Sequence, residues 1–273
     1  MHIGAHISIA GGIQNAPKRA ADLGCETMQI FTRSPRGGKA PELTPKICYE
    51  FKELTKKFKI QNIYIHTPYY INFASLDNRI RHNSIKLVRE ELERGNLIGA
   101  KYVMTHLGSS RGITRDESIK KVIEAIKKTL ENYSGKTKLL LENSAGTGEI
   151  IGSSLADLKT IIDKTKNNAI AGICLDTQHS FASGYNWKDF KKTSIKIDRE
   201  LGLKKIKLFH ANDSLSKLNS RKDRHTHIGE GEIGKSAFQN IVTFAKKNKL
   251  DLILETAYDK IIEDIKLLKS FRK

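Results

Sequence analysis

Eight short apolar runs recur along this 273-residue chain, each followed by a stretch of helical or loop character. They are His2–Ala5, Thr27–Phe31, Asn62–Ile65, Tyr102–Thr105, Lys138–Leu141, Ile170–Leu175, Ile206–Phe209 and Leu250–Leu254. Most carry Ile, Leu, Val or Phe without polar alternation, the pattern of strands buried on both faces of a parallel sheet. Between them lie amphipathic patterns. Ile113–Leu130 opens with a Thr114-x-x-Glu117 capping box and sets Ile119, Val122, Ile123, Ile126 and Leu130 on one face. Ser153–Ile162, Lys235–Asn248 and Asp259–Phe271 repeat the theme. Asn78–Ile98 is longer, with Ile80, Ile85, Leu87, Val88, Leu92 and Leu97 as candidate buried positions. Gly24, Gly99 and Gly202 fall where helix C-caps are expected.

Eight β-then-α units in about 270 residues are the arithmetic of an α/β (β/α)8 TIM barrel. The expectation is one domain, residues 1–273, with its active site at the C-terminal end of the strands. A doubly wound open sheet competes, but that fold usually carries a Gly-rich phosphate loop after its first strand. Here the loop reads Ala10-Gly11-Gly12-Ile13, without the GxGxxG spacing.

The strand ends are polar, and they agree with one another. The third run is followed by His66, the fourth by His106, the fifth by Glu142 and the sixth by Asp176, with His179 three residues on. The seventh is followed by His210, and its loop holds Asp223-Arg224-His225; the eighth ends at Glu255. A lone histidine at a strand end is more often a hydrogen-bonded core residue than a ligand, and a lone Glu142 could cap its loop. Taken together, these side chains converge on one barrel face. Carboxylates crowded into one pocket repel, and burying them unpaired costs several kcal/mol. Arg224 is the one local cation in the set, so divalent metal is the economical answer. Mixed imidazole and carboxylate donors suit zinc, manganese or iron, whereas magnesium and calcium prefer oxygen. If one carboxylate bridges, the set suits three ions with open water positions, an arrangement used for phosphate-ester hydrolysis.

The formal net charge of +18 suits a polyanionic partner such as nucleic acid, although a lysine-rich composition alone produces the same figure. Cys25, Cys48 and Cys174 are scattered and odd in number, so buried free thiols are expected rather than a disulfide framework or a thiolate zinc site. No run approaches the roughly 18 apolar residues of a membrane span, and the N-terminus has no signal-peptide pattern. A cytoplasmic location is expected.

Several of these segments match a known family. Gly4-Ala5-His6 with Ala10-Gly11-Gly12, His66-Thr67-Pro68-Tyr69-Tyr70-Ile71-Asn72, and Gly172-Ile173-Cys174-Leu175-Asp176-Thr177-Gln178-His179 resemble segments of endonuclease IV. So does His210-Ala211-Asn212-Asp213-Ser214, continuing through Asp223-Arg224-His225 to Gly229-Glu230-Gly231. Endonuclease IV is the metal-dependent apurinic/apyrimidinic endonuclease of DNA repair. The resemblance implies three zinc ions, with partial manganese substitution allowed: His66, His106 and Glu142 for the first; Glu142, Asp176, His210 and Glu255 for the second; His179, Asp223 and His225 for the third. It implies hydrolysis 5′ to an abasic site in duplex DNA, leaving a 3′-hydroxyl and a 5′-deoxyribose phosphate, with removal of 3′-blocking groups besides. Glu142 and Glu255 would serve the catalytic water, and the protein would act as a monomer. Arg36, Tyr69 and Tyr70 match positions that enter the DNA where the lesion is flipped out, and kinking and unstacking are cheapest at a damaged site. Loop packing is the plainer role for the two tyrosines. Departures from the family are Tyr70 in place of an aliphatic residue, Leu215 in place of a lysine, and Gln178 in place of a small residue. His227 could compete with His225 as a ligand, whereas His2, His6 and His82 are read as non-ligands.

Two other readings stand beside this one. A sugar isomerase or epimerase on a xylose-isomerase-like barrel uses the same strand-end logic with one or two ions, but does not require His179 with Asp223-x-His225. A basic DNA-binding barrel with a degenerate pocket would not need an intact ligand set.

Overall fold

A computed structural model describes residues 1–272; Lys273, the last residue of the expected domain, lies outside the described residues. The strands in chain order are β1 (Ile3–His6), β2 (Thr27–Ile30), β3 (Ile63–His66), β4 (Tyr102–Thr105), β5 (Lys138–Glu142), β6 (Ile170–Asp176) and β7 (Ile206–His210). A short hairpin of β8 (Asp213–Ser214) and β9 (His225–Thr226) precedes β10 (Asp251–Leu254). All but the hairpin strands close a parallel barrel in the order β1-β10-β7-β6-β5-β4-β3-β2. Around it pack α1 (Ala16–Asp22), α2 (Pro45–Lys57), α3 (Asn78–Ile98), α4 (Arg115–Thr129), α5 (Leu155–Thr165), α6 (Thr177–Ala182), α7 (Phe190–Glu200), α8 (Lys235–Asn248) and α9 (Ile261–Phe271). The expected TIM barrel is present. Among the described residues no helix is long and apolar enough to cross a membrane.

Two apolar layers hold the fold. The larger fills the space between strands and helices, with Ile65, Val103, Leu141, Ile173 and Leu254 at 0% exposure among its members. The smaller lies inside the barrel and consists of Tyr64, Met104, Leu140, Cys174, Leu208 and Ile253. Alternate residues of a strand face the same way. Two residues beyond each inner side chain the chain therefore again points into the barrel, and there stand His66, His106, Glu142, Asp176, His210 and Glu255. The period of the strand thus lifts six polar side chains onto one level above an apolar layer. Beneath that layer Asp251 closes the barrel floor, accepting hydrogen bonds from Tyr64 Oη, Asn62 Nδ2 and the His2 amide, each at 2.7 Å.

The helices follow their sequence signals closely. The Thr114–Glu117 capping box is formed, and Gly99 caps α3 in the left-handed region at φ 77°. Two expected core positions of α3 are not buried: Ile80 is 46% and Leu97 49% exposed. The buried stripe runs instead through Ser84, Leu87, Val88, Glu91, Leu92, Gly95 and Ile98. Glu91 is admitted to it because Arg33 Nε and Thr32 Oγ1 reach it at 2.5 and 2.6 Å. Arg94, one turn on, donates to the carbonyls of Thr32 and Pro41. A charged pair inside the α3 contact thus fastens both ends of the loop that carries Arg36. All three cysteines are buried and free, as their spacing suggests.

Candidate metal centre and its mouth

Three of the imidazoles in the cup are oriented by a partner on their far side. His66 Nδ1 lies 2.6 Å from the Thr67 carbonyl and His179 Nδ1 lies 3.0 Å from the Asn143 carbonyl. A carbonyl can only accept, so Nδ1 carries the proton and Nε2 is left with its lone pair. These lone pairs point inward, His66 Nε2 to Glu142 Oε2 at 3.0 Å and His179 Nε2 to Asp223 Oδ2 at 3.3 Å. His210 is turned the other way. Gln29 Nε2 donates to Glu255 Oε1 at 2.6 Å, which fixes the amide, and Gln29 Oε1 then accepts from His210 Nε2 at 2.7 Å. The free His210 Nδ1 faces Glu142 Oε1 at 2.9 Å and Glu255 Oε2 at 3.2 Å. Lone pairs facing carboxylate oxygens at such distances require a cation or a proton between them.

The donor atoms fall into three groups, each within 4.8 Å of one another: His66, His106 and Glu142; Glu142, Asp176, His210 and Glu255; and Asp176, His179 and His225. Glu142 belongs to two of them, and so does Asp176; the resemblance assigns the bridging role to Glu142 alone. The third group differs in detail, since Asp176 joins the two histidines there. Asp223, with its side chain 55% exposed, lies 3.3 Å from both His179 Nε2 and His225 Nε2. His106 Nε2 stands 3.6 Å from Glu142 Oε2.

Charge in the cup is balanced by protons when nothing else does so. Burial opposes charge on His179, but Asp176 and Asp223 override it and raise its pKa to about 10. Burial likewise disfavours the Glu255 carboxylate, yet His210 outweighs it and holds the group down at about 2, with Glu142 pulling the other way. Glu142, fully buried, is kept well below the usual carboxylate range by His106 and His210. His106 itself is lowered, chiefly by burial. Arg224 supplies no compensation, donating instead to the Asp223 carbonyl at 2.7 Å. His225 Nε2 is buried with no hydrogen-bond partner. An orphaned nitrogen, a shared carboxylate and inward lone pairs make a donor set that fits divalent cations of the nitrogen-and-oxygen type.

Several positioning groups escaped the sequence reading. Gln29 orients His210 and Glu255, and its Nε2 also meets His6 Nδ1 at 2.9 Å. Asn212 Nδ2 donates to Asp176 Oδ2 at 2.6 Å, while its Oδ1 accepts the Glu255 amide at 2.9 Å. Asn143 Oδ1 accepts the Asp176 amide at 2.6 Å. The signal for Gln29 was an amide at an inward position of an otherwise apolar run. Asp213, fully buried, is no ligand. It gathers the amides of Gly229, Gly231, Ile233 and Gly234, and a Cβ on Gly231 would come within 2.5 Å of its carboxylate. His227 turns away from the cup, its Nδ1 on Asp264 at 2.8 Å and its Nε2 on Asp259 at 3.2 Å. His6 lines the rim of the cup without joining a donor group, and burial lowers its pKa to about 4.

The cup opens into a cavity of about 380 Å³ that Tyr69 overhangs, and a neighbouring cleft of about 470 Å³ runs from Tyr69 and Tyr70 past Ser144 to Ile150. Tyr69 is 66% exposed although its ring meets Phe31 and His66 edge-on or tilted, with centroids 5.3 and 5.9 Å apart. Arg36 is exposed and shares a third cavity with Tyr70. All three residues therefore sit at or beside the mouth.

Fold and cup together define a barrel of the xylose isomerase-like class, and the family model of that description, "Xylose isomerase-like TIM barrel", matches residues 17–271. The chain is 37% identical to a probable endonuclease 4 of Halothermothrix orenii, over 98% of this chain and 99% of that one. It is 39% identical to a probable endonuclease 4 of Natranaerobius thermophilus, over 94% and 91%. Endonuclease IV from Thermus thermophilus superposes with a TM-score of 0.88 at 29% identity, covering 99% of this chain and 98% of that one. The chain belongs to the endonuclease IV family. A D-tagatose 3-epimerase-like protein, at 20% identity and a TM-score of 0.76, shares the fold.

Proposed function

We propose that this metal-dependent repair endonuclease cuts the phosphodiester 5′ to abasic sites in duplex DNA, using three zinc ions, and leaves a 3′-hydroxyl and a 5′-deoxyribose phosphate. The observation that carries the reading is a run of three donor groups joined by shared carboxylates, Glu142 between the first and second and Asp176 between the second and third. His66, His106 and Glu142 would hold the first ion; Glu142, Asp176, His210 and Glu255 the second; His179, His225 and Asp223, with Asp176 in reach, the third. When bound, zinc makes water acidic enough to attack at neutral pH and offsets charge on the phosphate oxygens.

The residues of the chain then do the rest. Thr67, Asn143 and Gln29 hold the three imidazoles in the tautomers that leave inward lone pairs. Asn212 keeps Asp176 and Glu255 in register and leaves Glu255 Oε1 to Gln29. Glu142 and Glu255 border the position of the attacking water, which Glu255 would help to orient. Tyr69, Tyr70 and Arg36 fill the gap left when the lesion leaves the duplex, at a cost that is lowest where no base stacks. The same geometry supports trimming of blocked 3′ ends, with the monomer and the one barrel domain as the working unit.

A duplex carrying one tetrahydrofuran abasic analogue is expected to be nicked 5′ to the lesion, and a chelator is expected to stop it. Turnover of ketose sugars without nicking would replace this reading with an epimerase. Metal analysis should return close to three zinc per chain; a single ion would remove the cluster. Glu142→Gln should lose incision while still binding the lesion duplex.

A further inference from the structure

Tyr258 stands at the rim of the cup in the loop between β10 and α9, three residues after Glu255, and its side chain is built in an unusual sense. Tyrosines kept for packing bury the ring and leave the hydroxyl to solvent. Here the hydroxyl is tied down twice, donating to the His6 carbonyl at 2.8 Å and accepting the Ser8 amide at 3.2 Å. Yet the residue as a whole is 54% exposed. Its anchors are the last residue of β1 and the loop that follows it, and its backbone is on the loop after β10, so the side chain bridges neighbouring parts of the rim and is held stiffly. The ring forms a wall of the cavity over the donor groups, which Tyr69 borders from the loop after β3. It also borders a second cavity of about 390 Å³ that reaches Phe31 and Pro35. Two exposed aromatic side chains, from loops after different strands, therefore border one opening above the metal ligands.

We propose that Tyr258 is a substrate-contacting residue: its immobilised ring stacks on a nucleotide flanking the lesion as the strand to be cut enters the mouth. Stacking on an aromatic platform is indifferent to base identity, because every base offers a π-face. The proposal rests on the abasic-DNA reading of the mouth. Incision of the abasic duplex by zinc-loaded wild type tests that reading, and the Tyr258 variants test this one separately.

Steady-state incision by zinc-loaded Tyr258→Leu should show KM raised about tenfold, with kcat and zinc content within about twofold of wild type. Tyr258→Phe keeps the ring and loses only the ties to His6 and Ser8, so its KM should stay within about threefold. An unchanged KM in Tyr258→Leu, with wild type active, overturns the proposal. An equal rise in Tyr258→Phe also overturns it, because the effect would then belong to the loop tie and not to the ring. So does a fall in kcat accompanied by zinc loss at constant KM, which would make Tyr258 a support for the cup alone.

Discussion

The side chains that never touch an ion or DNA decide whether the cup works, and Gln29 is the clearest case. It donates to Glu255 and accepts from His210, so it sets which nitrogen of that imidazole is free. Gln29→Leu preserves volume and removes both contacts. Partners of this kind typically sustain 10- to 100-fold of metal affinity or activity, and a loss of about that size is expected. Competition with a calibrated chelator measures it. Cys174 lies in the inner apolar layer, and burial pushes its thiol to about 12; Cys25 is raised likewise by burial. Folded protein at pH 8 should resist a thiol-alkylating reagent at both positions, and unfolded protein should react at all three cysteines, as mass spectrometry would report. Rapid labelling of native Cys174 would mean that the barrel interior opens far more often than its packing implies.

At the level of elements, α3 and α4 carry contrasting stabilising devices. Thr114→Ala removes the capping box of α4 and should cost about 1 kcal/mol. Glu91→Ala in α3 leaves the buried Arg33 guanidinium with only the partly exposed Glu90 at 2.9 Å and should cost about 3 kcal/mol, the low end for a broken buried pair, read as a shift in the urea midpoint. An equal, small effect for both would mean that Glu90 and water together satisfy Arg33. The contrast also marks where sequence reading worked. The capping box, the run of Lys235–Asn248 and the apolar strands all rest on local rules of period and capping, and they were legible. The polar strand ends were legible too, because an apolar run that stops at His, Glu or Asp six times over demands a shared reason. Ile80 and Leu97 were misjudged because the face of α3 is chosen by the Arg33 contact and by the close approach of Thr137 to Gly95, neither of which is local. Asn212, Asp213 and His227 were visible as residues, but their roles depend on which loop each one meets. The hairpin of β8 and β9 has no apolar run to announce it.

For the whole molecule, the closure of the barrel is reinforced where its ends meet. Arg272, just past α9, donates to both carboxylate oxygens of Glu26 at 2.6 and 2.8 Å, and Glu26 also accepts the Ile3 amide at 3.0 Å. Burial works against the Glu26 charge, but the Arg272 pairing and the Ile3 amide prevail and bring its pKa down to about 2. A carboxylate depressed in the folded state stabilises above its unfolded pKa, near 4.3, and that stability is lost as pH falls toward 2. Arg272→Ala should therefore lower stability at pH 7 by roughly 1 kcal/mol, discounted because water reaches about a quarter of each side chain. The difference from wild type should shrink between about pH 4.5 and 2, and a gap unchanged by acid would exclude this pairing as its source. The +18 surface makes the affinity for DNA a function of ionic strength: the logarithm of KM should rise linearly with the logarithm of salt concentration. The plugged floor has a kinetic consequence as well. Asp251, Tyr64, Asn62 and His2 stopper the barrel from below, so on the proposed reading ions and nucleic acid would share the open end. A duplex seated there bars the exit, and an uncleavable lesion analogue should slow the rate at which a scavenger such as EDTA empties the enzyme.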